Sequence, residues 1–109
     1  MKLSRLAVAG LVCMTSLAAY AAPQEKADVK ISGFEFNPKM VTVKKGGSVT
    51  FTNEDSAPHT VTPEKDAHFE ATGRMLKNES KTVTFTEAGT QHYFCNIHPS
   101  MKGTVKVVE

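Results

Sequence analysis

Apolar and polar residues alternate at period two along most of the chain. Val29 and Ile31 flank Lys30, Val41 and Val43 flank Thr42, and Val49 and Phe51 flank Thr50. Further on, Val83 and Phe85 alternate with Thr82, Thr84 and Thr86, while Val105 and Val107 flank Lys106. Successive side chains of an extended chain point to opposite faces, so each run can bury its apolar set and leave threonines and lysines in water. Turn chemistry separates the runs: Asn37-Pro38, Gly46-Gly47, the stretch from Asn53 to Pro58, and Glu87-Ala88-Gly89. About seven short strands in this space predict an all-β sandwich. Pro23 to Ala27 is expected to be a loose start, His59 to open a strand running to Thr62, and residues 63–80 to form a long connection around Gly73.

The first 21 residues follow a different rule. Lys2 and Arg5 precede an apolar run from Leu6 to Ala19, and Ala19-Tyr20-Ala21 supplies a small-x-small cleavage site. That is the pattern of a secretory signal, which divides the chain into a leader, 1–21, and a single domain, 22–109. The apolar run is shorter than the ~20 residues a spanning helix needs, so no membrane anchor is expected after cleavage. Export changes the meaning of the cysteines. Cys13 leaves with the leader, and Cys95 remains as one thiol in an oxidising compartment.

With 109 residues, 40% hydrophobic and 22% charged, the chain has room for one small core and excludes a multi-domain enzyme. The formal charge of +2 comes from the leader. Without Lys2 and Arg5, 11 basic residues face 11 acidic ones, and no cluster of Lys and Arg marks a nucleic-acid surface.

An intermolecular disulfide, an inert buried thiol and a metal thiolate are the three explanations for Cys95, and its neighbours choose among them. Cys95, His98 and Met101 follow one another at spacings C-x2-H-x2-M just after the run Gln91 to Phe94. Upstream, His59 shares parity with Val61, so it faces inward if Val61 does. Two imidazoles, a thiolate and a thioether make the His2Cys set with a weak axial Met that suits copper in electron transfer. Zinc would more typically take four Cys or His ligands. Taken singly, each residue has a bland reading as core packing or a hydrogen-bonded structural group; together they point to a metal. Thr60 and Asn96, each following a ligand, are placed to bridge the two ligand loops and fix ligand orientation. His98 is expected to be the more exposed of the two imidazoles. His92 has the opposite parity to Cys95 and His68 lies in the long connection, so both are expected on the surface. The chain carries no C-x-x-C-H, no second cysteine beyond the leader, no Gly-rich phosphate loop and no H-E-x-x-H. A Cys95/His98 nucleophile pair would leave Met101 unexplained. The chain is read as a non-enzyme.

At these residues the sequence resembles the cupredoxins, and within them the amicyanins, with the plastocyanins as the wider group. The resemblance is densest from Met75 to Glu109: Thr84-Phe85-Thr86-Glu87-Ala88-Gly89-Thr90, then Tyr93, Cys95, His98-Pro99, Met101 and Gly103. It extends back through Val41-Thr42-Val43, Val49-Thr50-Phe51 and Pro58-His59. It implies an eight-stranded Greek-key sandwich with copper on His59, Cys95, His98 and axial Met101. It further implies a monomeric periplasmic carrier between a quinone-cofactor methylamine dehydrogenase and a c-type cytochrome or oxidase. A docking patch of Ala57, Pro58, Met75, Ile97 and Pro99 around the edge of His98 follows from the same likeness. The chain departs from the family in having Thr60 where Asn is usual, Ser100 where an aromatic is usual, Ala57 for Met and Ile97 for Pro. Two rivals to the carrier are a copper-handling protein with the same fold and no redox turnover, and a domain that works beside an oxidase.

Overall fold

The computed structural model describes residues 22–109; the expected leader, 1–21, lies outside the described residues. Seven strands form: β1 (Gln24–Ser32), β2 (Glu35–Asn37), β3 (Met40–Asn53), β4 (Thr62–Pro63), β5 (Ser80–Thr84), β6 (Gly89–Cys95) and β7 (His98–Val108). None of the described residues is helical, and no described helix is long and apolar enough to cross a membrane.

The alternation works as expected. In β1, Ala27, Val29 and Ile31 are buried between exposed Lys26, Asp28, Lys30 and Ser32. In β3, Val43, Val49, Phe51 and Asn53 are buried on one parity. β1 is longer than its polar start suggested, because the strand begins at Gln24 and pairs with β3 from there. Backbone pairing with a neighbouring strand overrides the low apolar content of that stretch.

β3 organises the whole molecule. Its first part, Met40 to Lys44, runs parallel to β7, and its second, Ser48 to Asn53, lies between parallel β1 and antiparallel β5. The strands follow the order β2-β1-β3-β7-β6-β4, with β5 also on β3. One strand therefore serves both layers of the sandwich, and seven strands stand among the described residues where eight were expected. The change of layer falls at Gly46-Gly47. A side chain at Gly47 would lie 2.8 Å from the Glu25 carbonyl and 2.9 Å from that of Lys44, so only glycine permits this approach.

The two layers meet through Tyr93 of β6, whose ring packs edge-on against Phe36 at 4.8 Å and Phe51 at 5.4 Å. With Val29, Ile31, Val43, Val49, Val61, Phe85, Val105 and Val107 these rings make one continuous core. A Cβ at Gly103, opposite Tyr93 in register, would collide with the Tyr93 ring.

Candidate metal centre

The strand expected from His59 to Thr62 is only Thr62–Pro63. His59 instead sits in an isolated bridge, its N–H donating to the Met75 carbonyl and its carbonyl accepting from Met75 N–H at 3.1 and 2.8 Å. The inward parity nonetheless holds, and His59 is fully buried. Asn53 fixes the turn that delivers it. This buried amide donates to the carbonyls of Ala57 and Met75, both at 2.9 Å, and accepts from Asp55 N–H at 2.9 Å.

Cys95 and His98 arrive on β6 and β7, next to β4, into which the His59 segment runs. They are paired across a two-residue turn, Asn96-Ile97, between β6 and β7. The ladder then jumps from Cys95–His98 to Phe94–Lys102, so Pro99, Ser100 and Met101 form a bulge that returns buried Met101 to the inward face. The residues read as one short loop are thus mostly strand.

The donor atoms converge. Cys95 Sγ lies 3.7 Å from His59 Nδ1 and 3.6 Å from His98 Nδ1, and one donor atom from each of the three residues lies within 4.8 Å of the other two. An ion held at about 2.3 Å from sulfur and about 2.0 Å from nitrogen spans such gaps. Cys95 is buried, and His98 is half-buried. As expected, it is the more accessible imidazole. His68 and His92 are exposed and stand apart, beside Glu87 and Thr104 respectively.

Hydrogen bonds between Thr60 and Asn96 join the two ligand segments. Asn96 N–H donates to Thr60 Oγ1 at 2.9 Å, and Thr60 Oγ1 lies 3.3 Å from Asn96 Oδ1. Thr60 N–H points to Cys95 Sγ at 3.4 Å.

Asp55 and Phe34 were not singled out from the sequence. Asp55 Oδ2 lies 2.9 Å from His59 Nε2, which places the imidazole proton on Nε2 and leaves the Nδ1 lone pair facing sulfur. Partial burial opposes the Asp55 charge, but the N–H groups of Phe34 and Gly33, and then His59, outweigh it and hold the carboxyl below its ordinary 3.8. The four-residue step from Asp55 to His59 was a usable signal. Phe34 packs on both imidazoles from a distant hairpin, and no local pattern announces that.

Of the expected docking patch, Ile97 and Pro99 are exposed and Ala57 and Pro58 half-buried. Met75 does not belong to it: it is fully buried, because its backbone pairs with His59 and its side chain enters the core. Its neighbour Leu76, 54% exposed, and Phe34, 49% exposed, present apolar surface instead.

Residues 23–108 match the family described as copper binding proteins, plastocyanin/azurin family. The chain is 37% identical over 108 residues to amicyanin-alpha of Methylorubrum extorquens, covering 93% of this chain and 87% of that one. A solved amicyanin variant in its Cu(I) form superposes with a TM-score of 0.70 at 34% identity, covering 82% of this chain and 87% of that chain. A copper-containing nitrite reductase from Thermus scotoductus superposes at 0.69 with 30% identity, but this chain spans only 23% of that one. With a family match across nearly the whole described domain and two imidazoles and a thiolate gathered as a type 1 copper site, the chain belongs to the plastocyanin/azurin family of copper-binding proteins, the cupredoxins.

Proposed function

We propose that the chain is an exported, periplasmic one-electron carrier in which His59, Cys95, His98 and Met101 would hold copper. The convergence of both Nδ1 atoms on the Cys95 sulfur carries this reading. When bound, copper supplies a single electron gained or lost without bond-making. The protein's part is to keep its donors still between the two oxidation states. His59 is held by Asp55 and by the Met75 bridge, and Cys95 by Thr60 N–H. Thiolate and thioether favour Cu(I) while imidazole suits both states, so a fixed compromise geometry limits rearrangement during transfer.

A quinone-cofactor amine dehydrogenase of the methylamine dehydrogenase type is the proposed donor and a c-type cytochrome or oxidase the acceptor. Likeness to the amicyanins supports this. The partners meet the edge of His98 at an apolar rim of Ala57, Pro58, Ile97 and Pro99, extended by Phe34 and Leu76 in place of Met75. A chain with balanced charge offers little long-range steering, so apolar contact dominates the encounter complex. No bond-making chemistry is assigned to the chain.

Reconstitution with Cu(II) tests the reading. An intense visible thiolate-to-copper band and a reversible one-electron couple are expected, and Cys95→Ser should abolish the band while the apo fold persists. A protein that binds only Cu(I) and stays colourless would instead be a copper-handling protein.

A further inference from the structure

Phe34 follows Gly33 at the tip of the hairpin between β1 and β2, and both residues are left-handed, with φ of 64° and 58°. For a bulky side chain that conformation is a genuine outlier. Burial does not offset it, since Phe34 is 49% exposed. The conformation is held from outside the hairpin, by the two carboxylate oxygens of Asp55. They accept from Gly33 N–H at 2.8 Å and Phe34 N–H at 2.9 Å.

The strained turn aims the ring at the metal centre. Phe34 stands edge-on to His59 with centroids 5.0 Å apart and to His98 at 4.9 Å. The two imidazoles are themselves 5.0 Å apart, so the three rings close a triangle of nearly equal sides. His59 has other restraints: it is fully buried and bonded through Nε2. His98 is half-buried on a tight turn, and for it the Phe34 ring matters most. Strain kept at a turn beside a functional group is a sign that the placement is being used.

We infer that Phe34 is a positioning residue: its ring holds the His98 imidazole with Nδ1 directed at Cys95 and opposes the departure of His98 from bound copper. This rests on the copper reading above. Edge-to-face contact restricts ring rotation of His98, and Asp55 ties that restriction to the same carboxylate that orients His59.

The test compares Phe34→Gly, Phe34→Leu and Phe34→Tyr with the unaltered chain. Glycine suits the left-handed turn, so the hairpin should persist without the ring. Two quantities are read: the rate at which bicinchoninate strips Cu(I) from the loaded protein, and the imidazole NMR linewidths of His98 and His59 in the copper-free protein. Phe34→Gly should release copper about tenfold faster, the lower end of what loss of a ligand-orienting contact does to metal retention. His98 resonances should broaden while those of His59 do not. Phe34→Tyr should restore both, and Phe34→Leu should fall between. Indistinguishable release rates and unchanged His98 lines in Phe34→Gly overturn the inference. So does a variant that slows transfer with a partner and alters neither quantity, which would make Phe34 a docking residue alone. If the unaltered chain bound no copper, the copper reading would fail separately, and the copper-free linewidths would still decide whether Phe34 restrains His98.

Discussion

The backbone N–H of Thr60 points at the Cys95 sulfur from 3.4 Å, and the hydroxyl of the same residue accepts from Asn96 N–H at 2.9 Å. One residue thus ties the segment carrying His59 to the turn that follows Cys95. Thr60→Val keeps the shape and the N–H but leaves Asn96 N–H without its acceptor. We expect copper affinity to fall about 10-fold or more and the reduction potential to shift, with little change in the circular dichroism of the apo protein. Equal potentials and affinities in the two proteins would show that the bridge does not tune the site.

Asn53 carries a larger structural responsibility. Asn53→Ala strips the donors from the Ala57 and Met75 carbonyls in a buried setting, and each acceptor left unpaired costs about 1–3 kcal/mol. The expected loss is about 2–4 kcal/mol in urea unfolding of the copper-free protein. Copper uptake should also weaken, since the turn that presents His59 loses its brace. A loss no larger than an ordinary surface substitution would mean that the turn holds itself.

Tyr93 reverses the usual expectation for a buried tyrosine. Its hydroxyl is buried and finds no hydrogen-bond partner among the described residues. Tyr93→Phe should therefore be neutral or stabilising by about 1 kcal/mol, and a loss of that size would reveal a partner. Burial raises the phenol above its ordinary 10.0. In the unfolded chain the group ionises near that value, while in the folded chain it stays protonated. Its contribution is thus complete below pH 10 and is lost as pH rises further. Urea titrations toward alkaline pH should show this decline in the unaltered protein and a shallower one in Tyr93→Phe.

Ile97 is 40% exposed on the turn between Cys95 and His98. Ile97→Lys puts a charge into the proposed apolar rim without touching a ligand. Stopped-flow transfer with a competent partner should slow severalfold, most of it through weaker complex formation, and the visible spectrum should not move. Unchanged rates would place docking elsewhere.

The sandwich and the His59, Cys95 and His98 cluster were legible because both rest on local regularities, a period-two pattern and a C-x2-H-x2-M spacing beside a strand. Met75 misled because likeness to a family's contact face says nothing of a side chain drawn inward by its own backbone bridge to His59. Strand limits at Gln24 and His59 misled because pairing with a neighbour sets them, and a single segment does not reveal its neighbour. Asn53 could be read as a turn residue but not as a buried amide with three partners. The tie between Phe34 and Asp55 was invisible for a related reason: 21 residues separate them, and only the closed fold brings hairpin and turn together.

β3 changes layers at Gly46-Gly47, and the donors of the metal centre lie past its other end, beyond Asn53. Some seven residues of extended strand, roughly 20 Å, separate the two places. The His59 segment leads into β4, which lies beside β6, the strand that ends in Cys95, so the ligands gather at one end of neighbouring strands while β3 joins the layers at the far end. Copper there would pin the His59 segment to the β6–β7 turn, so amide hydrogen exchange should slow on loading in Thr60, Val61 and Asn96 while Val105 and Val107 stay unchanged, and the metal would act as a fastener for that end of the fold as well as its electron store.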